Sequence, residues 1–510
     1  MNNHKIIIEL MMKTNIFRKG SWLLCAVLLA APLTLTTSCS DELDALPGQS
    51  KVDGNVVVDQ KSAIVALNGV YYTFAMCGTD NYDVKSTGCS QFYEIFTADL
   101  AGTAVYYQGP YLFEPHDPMT LSRYCGYFWT PFYATVNAAN AFIKQMEGAD
   151  DSWFEAGKKN ALLGEAYAMR ALAHYNLLRL FGYSWDINSP YGCIIRTEQS
   201  TTLTLPKGRS SVKDSYDQIL SDLDFAIANA PVANDNYYVS QWFAKGLKAR
   251  VLMMRGQDGD YAQAAQLCAD VIQNGPYALE ENYEDIFHQK GLASQEVIFG
   301  IQPKENQTDV KETYYYRNSP QYFPTDNMVA LYEGDPRLQQ MYKLEQAEQY
   351  GYNEDGTLMV YYIDQYTICK HLNPATFAAD ETEETQYQMR LSEMYLLRAE
   401  ALARTGNIKE AASLLKTVMS KSGINDFTAV DAATTQEAML RQIFNEALKN
   451  LSFECGLEHD IMLRFPESIT LQFNPVYGNK QYNILPFPTD EFKYNFELTE
   501  NDQNPGYSIE

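Results

Sequence analysis

Apolar residues recur every three or four positions along most of this chain, which is the spacing of amphipathic helices. The clearest case is the segment 161–181, whose apolar face carries Ala166, Met169, Ala173, Leu177 and Leu180. Gly182 follows at a position that favours a helix C-terminus. The same spacing predicts helices over 63–74 and 129–146 and a last helix over 434–456, before an irregular tail. The pattern therefore predicts a mostly α-helical protein.

Two segments have the pattern of a helix, a turn and a returning helix. The first has helices 242–255 and 261–273 around the turn 256–260, and the second has helices 388–404 and 408–420 around the turn 405–407. In both, an alanine (Ala249, Ala399) lies seven residues before the turn glycine (Gly256, Gly406). Matched small residues of this kind indicate tetratricopeptide-like helix pairs, with two unrelated helical hairpins as the alternative. A further helix is predicted to begin at Ser211 as its N-cap.

Tyrosines gather where the helical period is lost. The chain has 37 Tyr and only 5 Trp. Within the non-repetitive stretch 276–385 lie Tyr314, Tyr315, Tyr316, Tyr322, Tyr332, Tyr350, Tyr352, Tyr361, Tyr362 and Tyr366. A second Tyr- and Gly-rich stretch spans 82–111. Long insertions in a repetitive scaffold are more often binding regions than filler, so both stretches are candidate ligand surfaces.

The N-terminal 38 residues have the layout of a secretory signal, with basic residues before the uncharged apolar run 22–35. Cys39 follows in Thr36-Thr37-Ser38-Cys39, which resembles the lipobox of bacterial lipoproteins and predicts acylation of Cys39. An ordinary cleaved signal with a chance cysteine is the alternative. Translation from Met11 or Met12 would shorten the leader to a more usual length.

The expected organisation is then a lipoprotein signal over 1–38, a lipidated tether over 39–60, and one α-helical domain over 61–510 with its loop-rich insertion near 276–385. Acidic residues outnumber basic ones 64 to 39, a net charge of −25 that becomes −28 without the leader. A field of that sign repels phosphate backbones and anionic surfaces, so nucleic acid is not an expected partner.

No catalytic or metal-binding signature is present in the sequence. It contains no HExxH, GxSxG, Walker A or EF-hand pattern and no CxxC pair. We therefore expect no enzymatic activity and no cofactor or metal. Asp258 and Asp260 are interpreted as turn and N-cap residues, and the charged residues on packed helices are interpreted as scaffold ion pairs: Glu165, Arg170, Arg398 and Glu400. Only Cys77 and Cys89 are near enough in sequence to suggest a local disulfide; the other mature cysteines are expected to be buried thiols.

Several motifs, in order, resemble the SusD/RagB family of outer-membrane nutrient-binding lipoproteins from Bacteroidetes. They are Ala66-Leu67-Asn68-Gly69-Val70-Tyr71; Trp129 with Tyr133, Asn137 and Asn140; Gly164-Glu165-Ala166-Tyr167-Ala168-Met169-Arg170-Ala171; Arg179-Leu180-Phe181-Gly182; Asp335-Pro336-Arg337; Arg390-Leu391-Ser392-Glu393-Met394-Tyr395; and the Leu485-Pro486-Phe487-Pro488 and Gln503-Asn504-Pro505-Gly506 tail. Two places depart from the pattern: Glu458 replaces a usual arginine, and Asn445-Glu446 replaces a Glu-Arg pair. These departures put local ion pairing in doubt at the two positions, and they do not affect the expected function.

The resemblance implies tetratricopeptide-like helix pairs on one side, loops forming a ligand surface, and a place on the cell surface over a TonB-dependent, SusC-like transporter. It also implies an oligosaccharide ligand and attachment to the membrane by the lipid alone. The candidate ligand-binding residues are Tyr82, Tyr106, Tyr107, Tyr111, Tyr314, Tyr315, Tyr316 and Arg317. Tyrosine faces suit the apolar faces of sugar rings. A peptide or other nutrient ligand, a pure protein-interaction scaffold and a surface glycosidase are the alternatives.

Overall fold

Helices dominate the computed structural model, which describes residues 56–76, 90–106, 116–301, 322–353, 355–372 and 385–509. In chain order the α-helices are α1 (Gln60–Met76), α2 (Ser90–Ala101), α3 (Pro118–Glu147), α4 (Lys158–Phe181), α5 (Val212–Asn229), α6 (Gln241–Arg255), α7 (Asp260–Asn274), α8 (Asp326–Leu331), α9 (Arg337–Met341), α10 (Leu391–Arg404), α11 (Ile408–Lys421), α12 (Thr428–Ala432), α13 (Gln436–Leu451), α14 (Leu457–Arg464), α15 (Glu467–Phe473) and α16 (Thr489–Tyr494). The prediction of a mostly α-helical protein is confirmed.

Helix α4 is buried on nearly every side, which is more than its predicted apolar face required. All its residues from Leu162 to Phe181 except Tyr167 are buried, because α3, α5 and α1 all pack against it. The helix ends at Gly182 as predicted, but for a different reason. Gly182 has an ordinary extended φ of −118°, and a Cβ there would lie 2.8 Å from the Leu178 side chain. Close packing, and not left-handed backbone, requires this glycine.

Both predicted helix pairs are present, and they pack against each other. Helices α6 and α7 form the first pair, α10 and α11 form the second, and α7 lies against α10. A buried ion pair joins them, since Arg250 of α6 donates to both carboxylate oxygens of Glu393 in α10 at 2.7 and 2.8 Å. The repeated small residues thus mark neighbouring structural units.

The predicted helix starts are right at Ser211 and wrong at Asp260. The Ser211 hydroxyl accepts the Asp214 N–H at 3.0 Å, as an N-cap does. At the start of α7 the N-cap is Gly259, whose φ of +87° is left-handed backbone that favours glycine. Asp260 lies one residue inside the helix, where it binds Arg255 at 2.6 Å and accepts the Gln257 N–H at 2.8 Å. These two contacts of the Asp260 carboxylate stabilise the turn.

Among the described residues, six strands form three separate antiparallel pairs: β1 (Ala104–Tyr106) with β3 (Tyr322–Pro324), β2 (Val297–Ile301) with β6 (Gln386–Arg390), and β4 (Tyr342–Tyr352) with β5 (Leu358–Ile368). Strand β6 corrects the prediction of a helix from residue 388, because these residues bond to β2 and the helix begins only at Leu391. The stretch 276–385 lacks a helical period partly because it contains β2 to β5.

The predicted last helix over 434–456 stops early. Helix α13 ends at Leu451, and Phe453 and Cys455 then take positive φ values of 65° and 38°. The buried Lys370 ammonium binds the carbonyl oxygens of Asn450 and Ser452 at 2.9 and 2.7 Å, so these groups pair outside the helix. The chain continues as α14, α15 and α16 where an irregular tail was expected.

Three of the four charged residues that were predicted to form scaffold ion pairs do form them. Arg170 binds Asp222 at 2.6 Å, Arg398 binds Glu410 at 2.5 Å, and Glu400 binds both Arg404 and Arg464. Glu165 is the exception, since it accepts the hydroxyl of Tyr71 at 2.6 Å. Burial raises the pKa of Glu165 to about 7.

Cysteine burial agrees with the expected thiols. Cys125, Cys193, Cys268, Cys369 and Cys455 are free and buried. Burial raises the pKa of the Cys193 thiol to about 11, so it remains protonated. Cys39, Cys77 and Cys89 lie outside the described residues.

The two departures from the family pattern differ in their effect on ion pairing. Glu446 is fully engaged: both its oxygens accept from Arg337, at 2.7 and 2.8 Å, and Arg337 also binds Asp335. The doubt about ion pairing was therefore wrong at this position. Glu458 is buried and accepts the Thr97 hydroxyl at 3.3 Å. Burial, with the Glu94 carboxylate nearby, raises the pKa of Glu458 to about 8.

Glu446→Ala is expected to lower the free energy of unfolding by about 3 kcal/mol, because it removes half of the carboxylates around the fully buried Arg337. Chemical denaturation measures the change. The control is Asp217→Ala, which breaks the exposed Lys213–Asp217 pair and is expected to have no measurable effect. Equal losses in the two variants would contradict this interpretation.

Glu458→Gln is expected to flatten the dependence of stability on pH. Because the folded pKa of Glu458, about 8, lies above the unfolded value, the folded state holds the proton more tightly. The resulting stability is present at acid pH and is lost as the pH rises through 8. Glutamine cannot ionise, so from pH 5 to pH 9 the variant should lose less stability than the wild type, by at most about 1.4 kcal/mol per pH unit.

Denaturant unfolding at pH 5, 7 and 9 tests this expectation. Glu437→Gln on the exposed side of α13 is the matched control, since the Glu437 side chain is mostly exposed. It should follow the wild-type profile. Parallel profiles for the wild type and Glu458→Gln would show that Glu458 is not the titrating group.

Candidate functional site

One of the sequence-predicted ligand residues, Tyr106, lies in the described part of the chain. It is the last residue of β1 and is half-buried. Its ring packs against Tyr322, the first residue of β3, with ring centroids 5.3 Å apart. The other candidates, and the lipidation site Cys39, lie outside the described residues: Tyr82, Tyr107, Tyr111, Tyr314, Tyr315, Tyr316 and Arg317.

Strand pairing brings the ends of two distant segments together at this point. Tyr106 is the direct register partner of Tyr322 in the antiparallel β1–β3 pair. Since the strands are antiparallel, the end of β1 and the start of β3 lie side by side. The sequence 107–115 leaves from Tyr106, and the sequence 302–321 leads into Tyr322. One end of segment 107–115 and one end of segment 302–321 are therefore attached at the β1–β3 pair.

Hydrogen bonds hold the inner end of the β1–β3 pair. The Thr325 hydroxyl donates to the carbonyl oxygen of Gly102 at 2.7 Å, and the Thr325 N–H donates to Thr103 at 3.2 Å. The Thr325 hydroxyl also accepts the Met328 N–H at 3.2 Å as the N-cap of α8. One residue thus fixes both the strand pair and the helix that follows it.

A third tyrosine, Tyr124 of α3, completes a cluster that we name the tyrosine junction (Tyr106, Tyr322 and Tyr124). Burial raises the pKa of the Tyr106 hydroxyl, and the nearby Tyr124 raises it further. Tyr124 is half-buried and packs against Phe96 of α2 and Tyr127, with centroids 6.5 and 5.9 Å apart. The Tyr106 hydroxyl therefore stays protonated and can donate a hydrogen bond.

Tyr106 also touches both parts of the hydrophobic interior. One cluster contains α1, α3, α4, α5 and α6 residues, the other contains α10, α13 and α14 residues, and Tyr106 packs against each. Tyrosine presents a flat apolar face and a hydroxyl. A ring fixed in this way suits a ligand that has both apolar faces and hydroxyl groups.

Sequence reasoning named Tyr106 as a candidate and did not foresee its neighbours. Tyr322 was noted only as one of many tyrosines in the insertion, and Tyr124 was not singled out. No local pattern marks Tyr322, because it lies beside Tyr106 through strand pairing across more than 200 positions. The recurrence of tyrosine in both stretches was the only available signal.

A separate cavity of about 340 Å³ lies near the end of α14. Trp185 and Tyr477 supply aromatic walls, the exposed Glu467–Lys480 ion pair at 2.7 Å lies at the cavity, and the buried Asn483 amide donates to the Tyr477 carbonyl at 2.7 Å. None of the predicted ligand residues lines it. For that reason it is the weaker candidate for a ligand site.

In the described residues, no helix has the length and apolar character needed to span a bilayer.

Family models match two parts of the chain. The model described as "Starch-binding associating with outer membrane" matches residues 68–253, and the model described as "SusD family" matches residues 339–507. Together they cover more than half of the 510 residues. The chain belongs to the SusD/RagB family, as its motifs indicated.

Curated relatives carry the same family name. A SusD-like protein of Bacteroides ovatus is 26% identical over 285 residues, 54% of this chain and 49% of the relative. SusD-like protein P2 of Formosa agariphila is 24% identical over 419 residues, 74% of this chain and 80% of the relative. The match spans about half the length of the Bacteroides ovatus relative.

Solved structures show the same fold. A SusD superfamily protein of Bacteroides thetaiotaomicron superposes with a TM-score of 0.68 at 22% identity, covering 88% of this chain and 100% of that one. A SusD-like carbohydrate binding protein of Bacteroides vulgatus gives 0.68 at 19% identity, covering 89% and 99%. At these identities the likeness establishes the fold.

Proposed function

We propose that this protein is a cell-surface lipoprotein that captures oligosaccharides and delivers them to a TonB-dependent, SusC-like transporter of the outer membrane. The observation that carries the proposal is the pairing of Tyr106 with Tyr322, which attaches two tyrosine-rich segments at one surface. The description of the family model and the carbohydrate-binding neighbour support the ligand class. The protein acts by binding, without catalysis.

Neutral oligosaccharides fit the chemistry of this surface best. Sugar rings have apolar faces that stack on tyrosine, and their hydroxyls pair with phenol, amide and guanidinium groups. The net charge of −25 disfavours anionic ligands. In this proposal Tyr107 and Tyr111 contribute from the segment after Tyr106, and Tyr82 contributes from the sequence before α2. The group Tyr314, Tyr315, Tyr316 and Arg317 contributes from the segment before Tyr322.

The proposed organisation follows the sequence. Residues 1–38 are the signal, Cys39 carries the lipid, residues 39–60 form the tether, and residues 61–510 form the binding domain with its insertion near 276–385. In this proposal the tether connects the lipid in the membrane to the domain that lies over its transporter.

Tyr106→Ala is expected to weaken binding of a neutral oligosaccharide by about tenfold, since one aromatic contact at the centre of a site contributes about 1–2 kcal/mol. Calorimetry against a panel of neutral plant and host glycans measures it. Tyr106→Phe keeps the ring and should retain most of the affinity. Tyr315→Ala tests the second segment in the same way. This variant leaves the packing of Tyr106 unchanged, so a loss of affinity would be due to the second segment.

Tyr494→Ala, at an exposed tyrosine on α16, is the matched control and should bind as the wild type does. Thermal melts of every variant separate lost binding from lost folding. A wild-type protein that binds peptides and no glycan of the panel would overturn the oligosaccharide proposal in favour of a peptide binder. Turnover of a chromogenic glycan would show a glycosidase instead.

Cys39→Ser is expected to abolish incorporation of a fatty-acid label and to release the protein from the outer-membrane fraction. Cys25→Ser is the matched control, because Cys25 lies within the proposed leader and should have no effect. Membrane retention of Cys39→Ser would indicate an ordinary cleaved signal and another means of attachment.

A further inference from the structure

Strands β4 and β5 form a long ribbon that is fixed at its base. Eleven residue pairs run from Tyr342 opposite Ile368 to Tyr352 opposite Leu358. At the base, Tyr342 and Ile368 are buried, and Tyr342 packs edge-on against Tyr332 with centroids 5.2 Å apart. At the tip, Asn353 donates its N–H to Thr357 at 3.0 Å. An eleven-residue strand spans about 36 Å.

The outer part of the ribbon exposes apolar side chains. The six consecutive residues Leu358 to Ile363 are Leu, Met, Val, Tyr, Tyr and Ile, and each is 39% to 63% exposed. On β4, Leu344 opposite Tyr366 and Tyr352 opposite Leu358 are also exposed, Tyr352 to 76%. Runs of this length in contact with water are rare in proteins unless another surface covers them.

Strand β5 is apolar on both faces of the ribbon. Side chains alternate between faces along a strand, so Leu358, Val360 and Tyr362 lie on one face and Met359, Tyr361 and Ile363 on the other. The polar residues of this region, Glu348 and Gln349, belong to β4, opposite Tyr362 and Tyr361. A strand that merely lies on a protein surface has one apolar side and one polar side. A partner that covers all six β5 residues must therefore contact both faces, as a cleft does.

Charge decides against a second copy of the same chain as the partner. Residues 342–368 contain five acidic side chains and a single lysine, and the whole chain has a net charge of −25. That lysine, Lys343, is already paired with Glu345 at 2.7 Å. Two copies would repel each other. A cleft whose rim carries lysine and arginine would be complementary.

A polysaccharide is also a poorer fit than a protein. Sugar chains are covered with hydroxyl groups that need polar partners. The exposed Tyr352, Tyr361 and Tyr362 can supply some, but Leu358, Met359, Val360 and Ile363 between and beside them have no hydrogen-bond donor. A ribbon two strands wide and six residues long presents about 200 Å² per face, or about 400 Å² for both. That is about half of one partner's share of a standard protein interface, which suits an anchor inserted in a larger contact.

We propose that the β4–β5 ribbon inserts into an apolar cleft with a basic rim on the outer-membrane transporter to which this protein delivers its ligand. The proposal rests on the proposed function for the identity of the partner. The ribbon supplies an anchor, and the tyrosine junction belongs to a different strand pair, β1–β3.

Lysine substitutions on each face test the insertion. Val360→Lys changes one face, and Met359→Lys changes the other. Leu203→Lys, at a residue 90% exposed and outside the ribbon, is the matched control. The full-length lipoprotein is purified from outer membranes with its TonB-dependent transporter identified by mass spectrometry, and the affinity of the pair is measured. Thermal melts check the fold.

Each ribbon variant is expected to bind the transporter at least tenfold more weakly, while Leu203→Lys binds normally and all three keep wild-type glycan affinity. Raising the salt concentration should weaken the wild-type complex, because the rim contacts are ionic. Loss in only one variant would overturn insertion and indicate contact with one face.

Three other outcomes overturn the proposal, and the measurements distinguish them from one another. Transporter binding unchanged in both variants rejects the ribbon as the anchor and leaves the proposed function intact. Loss of glycan binding with the transporter retained would make the ribbon a sugar surface. A wild-type protein that self-associates through the ribbon, or that carries no transporter, would contradict both the anchor and the delivery role.

Discussion

The pairing of buried arginine with buried carboxylate is the interaction on which much of this fold depends. Arg390, at the end of β6, binds Glu454 at 2.6 Å and Glu296 at 3.1 Å, and its second terminal nitrogen also reaches the carbonyl of Asn450. Glu296 directly precedes β2, and Asn450 and Glu454 lie at and just after the end of α13, so one guanidinium joins three distant segments. A buried arginine is tolerated only when it is paired. Each of these segments must therefore be in place before the others are stable.

The spacing of residues along the chain predicted those parts of the fold that depend on contacts between sequence neighbours. The cap at Ser211 and the two helix pairs depend on residues a few positions apart, and they were predicted correctly. The end of α13 was not, because it depends on the ammonium of Lys370, some 80 residues away, which binds carbonyls that a continuing helix would use. Strand β6 was missed for the same reason, since its partner β2 is equally remote.

In the candidate site, too, local features could be predicted from sequence and long-range contacts could not. Tyrosine enrichment pointed to two stretches, and Tyr106 could be named from sequence. Its pairing with Tyr322 could not, because strand register across two hundred residues leaves no trace in either neighbourhood. The exposed β4–β5 ribbon was obscured as well: an uninterrupted apolar run lacks the alternation that identifies a half-buried strand. Those candidates that lie outside the described residues stay predictions.

The attachment of the β4–β5 ribbon has a mechanical consequence. Strand β4 begins directly after α9, with no intervening loop. The first residue of α9 is Arg337, which Glu446 of α13 holds through two hydrogen bonds. A ribbon about 36 Å long is thus connected at its base, through α9, to the buried ion pairs of Arg337. We expect these ion pairs to oppose a force applied at the tip and to transmit it to α13, in the interior of the protein.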